Sequence, residues 1–203
     1  MRQEVARFLL RLNEPTWLDT PSGRGYPSSV RILGIDPGLD ATGYGVIETN
    51  NGHGLHLIEA GLIRTRSHDP LPQRLAAVVR ELQAILLQHK PDFMAVEDLY
   101  SYYKTPKPAI LMGHVRGVVL SAAAQAEIPV ANYLPTRIKK AVVGSGHAPK
   151  GQIARMVQMR LRLVEKRLPP DVSDALAVAL CHIETMGSSF DRLRTNGNRR
   201  ATS

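Results

Sequence analysis

Apolar residues fall into two spacings along this chain. Arg31-Ile32-Leu33-Gly34-Ile35-Asp36 is a short apolar run that closes on Pro37-Gly38, as a strand entering a turn does. Residues 43–49 form a second strand across a short turn, which predicts a hairpin. Residues 55–66 form a third, after a Gly- and Asn-rich turn. The period then changes. Leu75, Val78, Val79, Leu82, Ile85 and Leu86 recur at helical spacing, and Pro91 follows as a stop signal. Residues 93–96 are continuously apolar, which predicts a strand covered on both faces. Residues 108–126 predict a small-residue helix, with Gly113 and Gly117 expected to allow close approach. Residues 130–133 predict a short strand. Helices are expected from about Thr136, from about Pro149 and over residues 171–186.

Three strands in a meander, then alternating helix and strand, predict an α/β domain: a mixed five-stranded sheet flanked by helices. The core lies within residues 30–186. Residues 1–29 lack core periodicity beyond a short helix at 2–12, and Pro15, Pro21, Gly23, Gly25 and Pro27 punctuate the rest. They are expected to be a disordered extension, with translation starting near Val30. An intact native mass that includes residues 1–29 would contradict that start. Residues 187–203 are polar and Arg-rich and are expected to be a disordered tail.

Composition narrows the class. A 43% hydrophobic content in 203 residues supports one folded domain, not a disordered chain. No apolar run is long enough for a membrane span, and the N-terminus makes a poor signal peptide. The single cysteine, Cys181, excludes an internal disulfide and favours a reducing, cytoplasmic setting. The formal net charge of +8 favours a polyanionic partner, because Lys and Arg contacts release counterions from nucleic acid.

Four acids then stand out: Asp36, Glu97, Asp171 and Asp174. Asp36 and Glu97 end apolar strands, where a carboxylate is costly unless something pairs with it. Asp36 also suits the turn at Pro37-Gly38, whereas Glu97 is a poor strand residue beside Val96. Asp171 follows Pro169-Pro170, where a helix start favours an acid anyway. Asp174 lies three residues on, on nearly the same side of that helix. Clustered carboxylates suit Mg²⁺. Two such ions roughly 4 Å apart can clamp the attacking and leaving oxygens of a phosphodiester. No Ser-His-Asp or Cys-His arrangement offers another nucleophile.

Arg137, Lys139, Lys140, Lys150, Arg155, Arg160, Arg162, Lys166 and Arg167 precede the paired acids, with Glu165 the only acid among them. A charge run is commonly a solvated face, but one this lopsided favours a phosphate-binding surface. The string around Lys150 is not a P-loop, because Pro149 stands where Gly is required and Gly151 where Ser or Thr is. Tyr100-Ser101-Tyr102-Tyr103 suits either packing or stacking on unpaired bases, with Tyr100 the best candidate for stacking. His114, His147 and His182 lack metal-ligand spacing and read as structural or exposed.

Residues 32–38 with Thr42-Gly43-Tyr44-Gly45-Val46, then Ala95-Val96-Glu97-Asp98-Leu99-Tyr100, resemble the RuvC family of bacterial Holliday junction resolvases. So do Arg116-Gly117-Val118, residues 138–144, residues 146–152 and residues 171–179, in family order. The resemblance implies a ribonuclease H-like fold and a homodimer gripping four-way junction DNA. Each subunit would nick one of two like-polarity strands, leaving 5′-phosphate ends. It implies that Asp36, Glu97, Asp171 and Asp174 are the metal-binding catalytic acids, holding two Mg²⁺ per subunit with Mn²⁺ able to substitute. It places Lys139 and Lys150 near the scissile phosphate and Tyr100 against bases at the open junction centre. It also implies work with the RuvA–RuvB branch-migration complex. Lys104 and the Gly113-His114-Val115-Arg116-Gly117 string depart from the family pattern and bear on cut-site preference.

Three alternatives compete. One is another ribonuclease H-like nuclease acting on structured RNA, whose chains are shorter and lack the Lys139 to Lys150 region. Another is a junction binder without catalysis, which the four acids argue against. The third is a sugar kinase or actin-like ATPase, which needs a second phosphate loop and a longer chain.

Overall fold

The computed structural model describes residues 29–50, 54–98, 106–163 and 167–200, with the side chains of all but 106–107 and 188–200. Strands β1 (Ser29–Asp36), β2 (Ala41–Asn50) and β3 (Gly54–Arg64) form the meander, with a register shift between Val46 and Ile47. Helix α1 (Leu71–His89), strand β4 (Phe93–Glu97), helix α2 (Pro106–Gln125) and strand β5 (Val130–Tyr133) follow. Helices α3 (Pro135–Val143), α4 (Lys150–Arg160) and α5 (Pro170–Arg200) complete the described chain. The sheet order is β3-β2-β1-β4-β5. β1 pairs antiparallel with β2 and parallel with β4, so the sheet is mixed as the pattern predicts.

β1 is central and buried on both faces, which is why its sequence reads as an unbroken apolar run. Strand alternation still divides it. Val30 and Ile32 pack towards α3, α4 and α5, while Leu33 and Ile35 pack towards α1 and α2. Each fully buried Ile or Leu contributes roughly 1.5–3 kcal/mol. Helix α5 sits unusually near the sheet because two strand positions lack side chains. A Cβ on Gly34 would lie 2.1 Å from the Ala175 carbonyl oxygen, and one on Gly43 would lie 2.0 Å from that of Asp171.

The backbone of helix α5 runs on past residue 186 to Arg200, with no proline to interrupt it. A Cβ added to Gly117 would meet nothing within 4 Å, so none of the described residues makes the close approach expected there. Strand β3 also stops at Arg64, short of the expected 66. The expected extension lies almost wholly outside the described residues, as does Tyr100 with the rest of 99–105.

Candidate active site

Parallel pairing brings the C-terminal ends of β1 and β4 out at one edge of the sheet. The register sets Ile35 beside Val96, so Asp36 and Glu97 are the next neighbours. Alternation then fixes which way they face. Asp36 follows Val30, Ile32 and Gly34 onto the α5 face, and Glu97 follows Ala95 onto the same face. On the other side of Asp36 stands Gly43, its partner on β2, and the bare Gly43 backbone admits the first turn of α5 at Asp171. Asp174 follows one turn along that helix. All four acids line one cleft of about 390 Å³, together with Lys139 from α3 and Lys150 from the start of α4.

The electrostatics of this cleft are unbalanced. Burial pushes the Asp36 carboxyl up to about 7, and the nearby Glu97, Asp174 and Asp171 add to that rise, while Lys150 opposes it. Glu97 is also raised, first by burial and then by Asp174, with Lys150, Lys139 and a hydrogen bond from Asp36 pulling the other way. The Asp36 and Glu97 carboxyls are hydrogen-bonded to each other, and both are displaced in the direction that favours a proton. The Lys150 ammonium lies 2.9 Å from Asp174 Oδ2, and that contact raises the lysine's pKa. Lys150 is otherwise 77% exposed, so this cation sits at the mouth of the cleft.

The donor set is all carboxylate oxygen, which suits a hard divalent cation. Its excess negative charge is what such an ion would offset. As the side chains stand, however, no three acidic, imidazole or thiol groups among the described residues converge on one point. Asp36 is turned to Glu97, and Asp174 is held by Lys150. Closing the carboxylates around an ion requires both contacts to open.

The remaining sequence candidates divide. Lys139 and Lys150 face the cleft, whereas Lys140 is exposed and does not line it. Arg137 is drawn elsewhere: its guanidinium lies 5.7 Å from the centre of the Tyr133 ring and donates to Thr185 Oγ1 at 3.3 Å. His182 is buried with Nδ1 2.7 Å from the Tyr133 hydroxyl, a packing role that pushes its pKa down to about 4. Two residues beside the site escaped the sequence reading. The buried Thr42 hydroxyl donates to the Gly38 carbonyl at 2.7 Å and fixes the turn after Asp36. Arg116 reaches from α2 to the end of β4. It stood within a quoted motif, but a lone helical arginine reads as solvated until its partners are seen.

The Crossover junction endodeoxyribonuclease RuvC family profile matches residues 32–182. This chain belongs to the RuvC family. A RuvC of Rhodopirellula baltica, a crossover junction endodeoxyribonuclease, is 51% identical over 150 residues, covering 74% of this chain and 84% of the relative. The Thermus thermophilus RuvC structure superposes with a TM-score of 0.72 at 32% identity, over 79% of this chain and 97% of that one. T. thermophilus RuvC in complex with a Holliday junction substrate gives a TM-score of 0.73, also at 32% identity, over 77% and 94%. The ribonuclease H-like architecture expected of a RuvC protein is therefore the one this chain adopts.

Proposed function

We propose that this RuvC protein resolves Holliday junctions in DNA recombination and repair by metal-dependent hydrolysis of paired phosphodiesters. The carrying observation is the meeting of four carboxylates from three elements in one cleft flanked by Lys139 and Lys150, in a chain of this family. Asp36, Glu97, Asp171 and Asp174 are the groups that hold the metal, taken as two Mg²⁺ per subunit with Mn²⁺ able to substitute. When bound, the ions supply charge for the attacking and leaving oxygens.

The chain's own residues set up the rest. The Asp36 carboxyl, pushed up to about 7 by burial and by the neighbouring acids, would favour its charged form with a divalent cation beside it. Lys150, the exposed cation at the cleft mouth, turns from Asp174 to the scissile phosphate. Lys139 adds a second positive charge from α3. Tyr100, one of the residues outside the described part, is assigned to stacking on bases at the junction centre. Lys140 and Arg137 are assigned to the outer DNA backbone.

A homodimer is supported by α2, whose outward surface carries the 57% exposed Ile110 and the open Gly117. Two clefts would then each nick one strand, leaving 5′-phosphate ends. The RuvA–RuvB complex is the assigned partner and the cytoplasm the assigned compartment; no described helix is long and apolar enough to cross a membrane. The test is cleavage of a synthetic four-way junction beside a linear duplex of the same sequence. Paired symmetrical nicks in the junction alone are expected with Mg²⁺, and none with EDTA. Equal cutting of the linear duplex would remove the resolvase reading.

A further inference from the structure

We infer that Arg116 is a positioning residue that fixes Glu97 for catalysis by gripping the main chain at the end of β4. Its side chain is 14% exposed, and its guanidinium makes three contacts. Nη1 donates to the Glu97 carbonyl oxygen at 2.8 Å, Nη2 donates to Asn132 Oδ1 at 2.7 Å, and Nη2 lies 3.2 Å from Asp98 Oδ1. One planar fork thus joins α2, the end of β4 and the end of β5.

The need for such a grip follows from the sheet. Met94 and Asp98 send their N–H groups to β5, so by alternation the main-chain groups of Glu97 face β1. In the parallel register that sets Ile35 beside Val96, the next β1 donor for the Glu97 carbonyl would be position 37. Pro37 has no N–H. The turn chemistry that ends β1 at Asp36 therefore leaves the last carbonyl of β4 without its ladder partner, and Arg116 supplies the donor. The cations that stabilise the Glu97 carboxylate are Lys150 and Lys139, not Arg116. Arg116 acts on where the carboxylate stands; it does not itself line the cleft, although Asp98, which it holds, does. Asp98 is also the last described residue before the segment carrying Tyr100.

This inference rests on the reading of Glu97 as a metal-holding acid, and the two are separable. Glu97→Gln tests that reading: near wild-type cleavage would sink it. With Glu97→Gln inactive, Arg116→Gln tests the positioning role. Misplacing a reacting group by an ångström costs up to about a hundredfold. We expect kcat at saturating junction to fall by roughly 10- to 100-fold on that scale, with KM and junction affinity in EDTA unchanged. Calorimetric titration of Mn²⁺ into a complex with an uncleavable junction should show weakened metal binding. Arg116→Lys, which keeps the charge without the fork, should fall between Arg116→Gln and wild type, and it replaces Arg116→Gln if that variant fails to fold. Wild-type kcat and Mn²⁺ affinity in a folded variant would overturn the inference. So would a loss of junction affinity as large as the loss of kcat, which marks a general structural brace.

Discussion

Two carboxylate networks sit on opposite faces of the same sheet, and they are handled in opposite ways. Glu59 on β3 faces α1. The Tyr44 hydroxyl donates to it at 2.6 Å, His89 Nε2 lies 3.0 Å away, and Gln88 donates at 3.3 Å. The Tyr44 hydrogen bond, with help from His89, holds the Glu59 carboxyl below its usual range, and burial, together with the same bond, pushes the tyrosine up to about 12. Asp36 and Glu97 face α5, and there burial and neighbouring acids push both carboxyls up. Protein donors satisfy the first network completely. The second is short of positive charge, with one lysine on Asp174 and both Asp36 and Glu97 pushed up. A structural acid brings its partners with it, whereas an acid that must receive an ion is left short of them.

The sharpest way to break that contrast is to neutralise each network in turn. Asp36→Asn should abolish junction cleavage while leaving junction binding intact. Losing several kcal/mol of charge stabilisation corresponds to a drop on the order of 10³-fold in kcat. The same change should alter the pH dependence of stability. The folded pKa of Asp36, about 7, lies above its unfolded value of 3.8, so the folded state binds the extra proton between them. Metal-free wild-type protein should thus lose stability as pH rises from 3.8 to about 7, and Asp36→Asn should flatten that slope. Thermal melts across this range in EDTA give the answer; parallel slopes would mean that Asp36 is not strained by its surroundings.

Lys150→Gln comes next. It removes the cation at 2.9 Å from Asp174. We expect cleavage to slow by roughly 10- to 100-fold, the worth of a hydrogen bond to a charged group. An unchanged single-turnover rate would reduce Lys150 to a surface charge. Gly43→Ala tests how Asp171 reaches the cleft. Its new Cβ would lie 2.0 Å from the Asp171 carbonyl, so α5 must shift. Overpacking of this kind costs about 1–3 kcal/mol in chemical denaturation, and cleavage should fall with it. Glu59→Gln should be the mildest: a stability loss of about 1 kcal/mol with full cleavage, since its carboxylate is partly exposed and Gln can still accept from Tyr44. If Glu59→Gln stopped cleavage as Asp36→Asn does, the two networks would not be functionally distinct.

Much of this site was legible before any coordinates. Two short apolar strands ended on Asp36 and Glu97, and the spacing of Asp171 and Asp174 set them on nearly one side of a helix. What was not legible depends on pairing across the fold. Nothing local distinguishes Lys139, which lines the cleft, from Lys140, which does not, or shows Arg137 turning to Tyr133 and Thr185. The importance of Pro37 emerges only once β4 is known to lie parallel to β1, because only then does a missing N–H concern Glu97. Gly117 misled for a related reason: a small residue on a helix marks a close approach, and none of the described residues approaches it.

The most direct test of the central claim is to locate bound metal. Anomalous scattering from Mn²⁺ in crystals of the protein on an uncleavable four-way junction would show where the ions sit. The account predicts peaks bounded by Asp36, Glu97, Asp171 and Asp174, with Lys150 withdrawn from Asp174. A junction complex with Mn²⁺ bound elsewhere, and Lys150 still seated on Asp174, would contradict it.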